Sequence, residues 1–181
     1  MKNPKVGILM GSDSDLEVMS GSAKVLEELG IQYEISILST HRAPEETAVY
    51  AKDAVTKGLK VLIAGAGGAA ALPGSLASLT SIPVIGVPVK SKSMEGLDSL
   101  LSIVQMPPGV PVATVGLDAA KNAGILAAQI IGISDPDVAK SIIRYKEKLK
   151  NEVLAKNTKL QQLGWEEYLK ANLPKEGHGK K

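Results

Sequence analysis

Val6-Gly7-Ile8-Leu9-Met10-Gly11-Ser12-Asp13-Ser14-Asp15 is the stretch on which the fold turns. Its first half is an unbroken apolar run, as in a parallel strand buried on both faces. Its second half is small and acidic, and a helical pattern starts at Leu16. A strand that enters a helix through Gly, Ser and Asp leaves a polar pocket at the carboxyl end of a sheet. Backbone amides and the positive end of a helix turn into that pocket. The plainer reading is Ser or Asp acting only as a helix cap.

Outward from this turn, strands and helices alternate. Strands are expected over 5–10, 32–38, 60–64, 83–89 and 110–117, and helices over 16–29, 44–56, 72–80, 97–104 and 119–131. Pro44 fits the first turn of its helix, with Glu45 and Glu46 near the positive end. Gly30 and Gly58 are helix stops. Five strands alternating with helices imply a parallel α/β sheet with right-handed crossovers, which binds ligands at the carboxyl ends of its strands.

Ser134-Asp135-Pro136-Asp137 opens a charged helix to residue 163 or so, with an apolar stripe of Val138, Ile142, Tyr145, Leu149 and Val153. The stripe either packs on the chain's own sheet or meets a neighbouring subunit. The chain reads as a single domain over 1–181, with a core over 5–133, C-terminal helices over 135–170 and a tail over 171–181.

Apolar residues make up 44% of the 181 positions and aromatics only 3%, with no Phe. Small and branched side chains suit helices packed closely on a parallel sheet. A net charge of +2 is too weak for a nucleic-acid footprint. The absence of Cys excludes disulfides and thiolate metal sites. No signal peptide is expected before the first strand and no run reaches membrane-spanning length, so the expectation is a cytoplasmic protein without a membrane partner. His178 falls in the expected tail and is set apart from the site.

Three turns gather at the strand ends. In the first, Ser12 and Ser14 can donate to phosphate oxygens, whereas Asp13 and Asp15 suit the hydroxyls of a ribose. Two carboxylates without further ligands do not define a metal site. In the second, Ser39-Thr40-His41-Arg42, Arg42 is a natural bidentate partner of phosphate. His41 can give and take a proton near neutrality; the competing reading is a structural loop His. In the third, Gly65-Ala66-Gly67-Gly68-Ala69-Ala70 fits G-x-G-x-x-A formally, but it follows the third strand and lacks an acidic residue after the next. It instead brings backbone close to a flat ring, or packs a helix close to a strand. The three turns together suit a phosphorylated small molecule.

With these residues in hand, the chain resembles the purE family of purine biosynthesis, the N5-carboxyaminoimidazole ribonucleotide mutases. The matching motifs are Gly11-Ser12-Asp13-Ser14-Asp15, Ser39-Thr40-His41-Arg42-Ala43-Pro44, Ala64-Gly65-Ala66-Gly67-Gly68-Ala69-Ala70, Leu72-Pro73-Gly74, Pro83-Val84-Ile85-Gly86-Val87-Pro88-Val89 and Asp98-Ser99-Leu100-Leu101-Ser102-Ile103-Val104-Gln105-Met106-Pro107. They span residues 5 to 170 or so. The resemblance implies a three-layer flavodoxin-like sheet with a C-terminal helical extension, a homo-octamer, and neither metal nor organic cofactor. It implies an isomerase that moves a carboxylate from the exocyclic nitrogen of an aminoimidazole ribonucleotide to a ring carbon. Ser12, Asp15 and Arg42 would bind the ribose phosphate, with Ser14, Ser39, Gly67 and Leu72 completing the substrate site, and His41 would be the catalytic acid and base. Ala71 and Ser75 stand where the family motif carries His and Met. That departure bears on activity. It keeps open a carbon-dioxide-using aminoimidazole ribonucleotide carboxylase, or a catalytically silent ribonucleotide-binding paralogue.

Overall fold

The computed structural model describes residues 4–91 and 93–172. His178 and all but the first two residues of the expected tail lie outside the described residues. The chain divides into two compact units, one ending at Ile142 and one beginning at Ile143.

The first unit is a five-stranded sheet. β1 (Val6–Met10), β3 (Val61–Ala66) and β4 (Val84–Pro88) are buried at every position, as continuous apolar runs in a parallel sheet require. β2 (Tyr33–Ile37) is an edge strand that leaves Ile35 and Ile37 exposed. β5 (Ala113–Thr114) is the other edge. The strand order is β2-β1-β3-β4-β5 and every pairing is parallel. Val6 lies beside Tyr33 on one side and Val61 on the other, so the order reverses between β1 and β3. This is the flavodoxin-like arrangement, with its ligand crevice at that reversal.

The helices are α1 (Leu16–Glu28), α2 (Pro44–Asp53), α3 (Leu72–Ala77), α4 (Leu97–Val104), α5 (Ala120–Gly132) and α6 (Pro136–Asn172). α1 and α5 pack together over one face of the sheet, and α2, α3 and α4 pack on the other. Asp135 caps the start of α6 by accepting from the N–H groups of Asp137 and Val138, and its other oxygen takes a 2.6 Å hydrogen bond from Lys5 Nζ. That ammonium, with the Val138 N–H next in effect, holds the Asp135 carboxyl below its usual range.

Three expectations are corrected. The fifth strand, expected over 110–117, pairs only at Ala113 and Thr114, opposite Ile85 and Gly86. Pro111 has no N–H to give a ladder. α3 stops at Ala77, short of residue 80. α6 runs to Asn172, past residue 163, and Gly164 inside it leaves helical geometry at φ 74° and ψ 162°. The expected stripe is also uneven. Val138 and Ile142, in the first unit, and Tyr145, in the second, are buried, whereas Leu149 and Val153 are 40% and 64% exposed, as is Trp165 at 69%. No helix among the described residues is long and apolar enough to cross a membrane.

The α1–α5 contact shows why the composition avoids large aromatics. Ser22 Oγ donates to the carbonyl of Ala120 at 2.6 Å inside the contact. Gly124 faces α1 so closely that a Cβ there would strike Val25 Cγ1 and come within 3.0 Å of the Ser22 carbonyl oxygen. Overpacking of this kind moves backbone against backbone. Gly124→Val is therefore expected to destabilise the fold by about 1–3 kcal/mol despite the better helix propensity of Val, read as a lower urea midpoint with an unchanged slope.

Candidate functional site

The carboxyl ends of β1, β2, β3 and β4 surround one cavity of about 620 Å³. Ser12, Ser14, Asp15, Ser39, His41, Arg42, Gly67 and Leu72 all line it, whereas Asp13, also expected to suit ribose hydroxyls, does not and instead accepts from Ser12 Oγ at 3.1 Å. Ala71 lines the cavity too. Ser75 does not; its N–H donates to the Ala71 carbonyl at 3.0 Å within the first turn of α3.

The first turn is partly a cap. Ser12 is extended, its Oγ accepts from the Ser14 N–H at 3.3 Å, and Asp13–Asp15 form a 3₁₀ turn ahead of α1. Asp15 holds the N-cap position of α1 yet makes no capping hydrogen bond with its side chain. Capping therefore accounts for Ser12 and leaves the Asp15 carboxylate to the cavity, where Ser14 Oγ lies 3.4 Å away. Burial pushes the Asp15 carboxyl above its usual range. Hydrogen bonds from Ser14 and the Ser12 backbone oppose that, and the neighbouring Asp13 charge adds to it.

The second turn is bound to the first. The Leu38 N–H donates to the Met10 carbonyl at 2.8 Å, and Arg42 Nη2 donates to the Gly11 carbonyl at 2.7 Å. The Ala43 N–H closes the turn onto the Ser39 carbonyl at 2.7 Å. Arg42 Nε also lies 3.4 Å from Ser39 Oγ. His41 is exposed at this turn, on the wall of the cavity.

The third turn divides its glycines between two tasks. Gly65 is a packing residue, since a Cβ there would strike Met19 Sδ. Gly68, at φ +61°, provides the left-handed bend that leads to Ala70 and the start of α3. Gly67 lies between these and faces the cavity. Close packing is thus served at Gly65, while Gly67 leaves the cavity wall without a side chain.

A fourth wall was not anticipated. Val89, Lys90 and Ser91 follow β4 and line the cavity. The Val89 N–H donates to the Ala66 carbonyl and the Lys90 N–H to Asp118 Oδ1, each at 2.9 Å. Lys90 Nζ pairs with Glu95. The available signal was positional: β4 was expected to end at residue 89, and the residues just after each strand of such a sheet face the crevice. Among the described residues no group of three or more His, Asp or Glu is placed to hold a metal ion.

Comparison with known proteins bears on this cavity. A family model described as AIR carboxylase matches residues 5–152. An N5-carboxyaminoimidazole ribonucleotide mutase of Thermotoga maritima is 61% identical over 166 residues, covering 92% of this chain and 97% of that protein. A phosphoribosylaminoimidazole carboxylase of Candida glabrata is 52% identical over 171 residues, covering 94% of this chain but 30% of that protein. The crystal structure of Treponema denticola PurE superposes with a TM-score of 0.80 at 33% identity, covering 87% of this chain and 98% of that one.

The raised Asp15 carboxyl has a stability consequence with a definite sign. A carboxyl whose folded pKa exceeds its unfolded value penalises the folded state once it ionises. The penalty is full above the folded pKa and absent below the unfolded pKa of about 4. Asp15→Asn is therefore expected to raise the melting temperature at pH 7 and leave it unchanged at pH 3, as measured by calorimetry at both pH values.

Proposed function

The chain belongs to the AIR carboxylase family, and from that premise we propose that it is an N5-carboxyaminoimidazole ribonucleotide mutase of purine biosynthesis. It is an isomerase that moves a carboxylate from an exocyclic nitrogen to a ring carbon of the same ribonucleotide. The observation that carries mutase over carboxylase is the extent of the match. The chain covers 97% of the Thermotoga mutase, whereas it corresponds to 30% of the Candida carboxylase.

The cavity suits the chemistry in parts. Of the five guanidinium N–H groups of Arg42, one is spent on the Gly11 carbonyl and one points at Ser39, which leaves others for a phosphate. Ser12 and Ser14 add hydroxyl donors at the same end. Asp15, free of a capping role, accepts from ribose hydroxyls. Gly67 and Leu72 let the imidazole ring lie against the β3 turn. His41, protonated, gives its proton to the exocyclic nitrogen as the C–N bond breaks and carbon dioxide leaves. The electron-rich ring carbon then attacks carbon dioxide, and His41 takes the proton from that carbon, which restores the aromatic ring and the starting imidazolium. Walls on four strand ends hold the carbon dioxide near the ring in between. Ala71 offers only a methyl group where the family motif has an imidazole, so proton transfer rests on His41 alone.

The working form is proposed to be a cytoplasmic homo-octamer. Exposed apolar side chains on β2, α2 and α4, among them Ile37, Val49 and Val104, supply surface for contacts between copies.

The purified chain is expected to convert the N-carboxylated ribonucleotide without ATP, followed by the absorbance of the ring-carboxylated product. His41→Asn should lower turnover by about 10²- to 10⁴-fold, and Ala71→His should raise it. Binding of the ribonucleotide without any turnover by the unmodified chain would instead favour the silent paralogue. Product formed only from the uncarboxylated ribonucleotide and bicarbonate would favour the carboxylase. Light scattering should give eight chains per particle.

A further inference from the structure

We infer that Lys90 is the specificity-determining residue that grips the migrating carboxylate of the substrate, releasing Glu95 to do so. The inference rests on the mutase reading and adds a residue to it.

Three observations converge on this lysine. The first is charge placement around the cavity. Of the lining residues that follow β3 and β4, namely Ala66, Gly67, Ala70, Ala71, Leu72, Val89, Lys90 and Ser91, only Lys90 carries a charge. Ala71 leaves the β3 wall with nothing ionisable. The substrate carries anions at both ends, a phosphate beyond the ribose and a carboxylate on the base. Arg42 meets one end from the β2 side. An anion held at the β3–β4 end has only Lys90 as a cationic partner among the described lining residues.

The second is reach. In the order β2-β1-β3-β4, Arg42 and Lys90 lie at the ends of strands three spacings apart, about 14 Å across the sheet. Arg42 already reaches from its wall to the Gly11 carbonyl, and a Lys90 side chain turned from Glu95 into the cavity would leave a gap of the size that separates phosphate and base substituent across a ribose.

The third is the way Lys90 is held. Its backbone is fixed: its N–H donates to Asp118 Oδ1, the Asp118 N–H donates to the Pro88 carbonyl, and the preceding residue, Val89, is bonded to β3. Its side chain is not. The Lys90–Glu95 pair is open to water, with side chains 53% and 84% exposed, so it is screened and contributes little to stability. Glu95 has an unfavourable left-handed backbone at φ +55°, beside Met94 at φ +48° and Gly96 at φ +89°. A weak ion pair on a fixed backbone can be exchanged for a substrate carboxylate at small cost. Hydrogen bonding and attraction to Glu95 raise the Lys90 ammonium above its usual range, and an exposed lysine stays cationic at neutral pH once Glu95 is released.

The test compares two ligands that differ only in the carboxylate: the aminoimidazole ribonucleotide and its ring-carboxylated product, titrated by calorimetry into the full chain. Lys90→Gln is expected to bind the carboxylated ligand about 10- to 100-fold more weakly, the loss of one charge-assisted hydrogen bond, and to bind the uncarboxylated ligand as before. Lys90→Arg should recover most of the loss, and Glu95→Gln should leave the carboxylated ligand bound as tightly or more tightly. Equal weakening of both ligands in Lys90→Gln, or of neither, overturns the assignment while leaving the mutase reading intact. Failure of the unmodified chain to bind either ribonucleotide overturns the mutase reading and the assignment with it.

Discussion

A parallel sheet covered by helices on both faces can present chemistry only at the ends of its strands. β1, β3 and β4 have no exposed position along their length, so no polar side chain is tolerated there. The polar groups of the site are displaced into the loops beyond the carboxyl ends. The reversal of strand order between β1 and β3 opens the crevice in which those loops meet. Everything proposed for this protein depends on that geometry: phosphate recognition on the β1 and β2 loops, the ring against the β3 loop, and the carboxylate toward β4.

The loops are not independent. Arg42 reaches across to the Gly11 carbonyl, and Leu38 is bonded to Met10, so the first two walls move as one piece. Val89 is tied to Ala66, which joins the third and fourth walls in the same way. The backbone around the cavity is thus set before a ligand arrives, and the adjustable parts are exposed side-chain ends such as that of Lys90. A site with a fixed frame and mobile tips loses little freedom of its main chain when it closes on a substrate.

Most of this was legible because it follows from local rules. The apolar runs at β1, β3 and β4 admit little but buried strands, and Gly, Pro and Ser mark the loops between them. What escaped has physical causes. β5 is apolar in composition, but Pro111 cannot join a ladder, and composition does not show which N–H groups find partners. The path of α6 beyond residue 163 turns on Gly164, where the φ and ψ of one residue decide the outcome. Lys90 and Ser91 were passed over because a lysine after a strand looks like any solvated loop residue; only the assembled cavity shows that both lie on its wall. The role of Asp15 was ambiguous for a related reason. A carboxylate at an N-cap position resembles a cap until the hydrogen bonds are traced, and here Ser12 makes them.

The break at Gly164 places the sole tryptophan, Trp165, just beyond it, 69% exposed in the helical unit that begins at Ile143. The sheet unit has only Tyr33 and Tyr50 as aromatic residues and no Phe at all. Excited at long wavelength, the protein therefore emits from the helical extension alone. Its fluorescence follows the solvent around one indole, whereas the aromatic reporters within the sheet unit are Tyr33 and Tyr50.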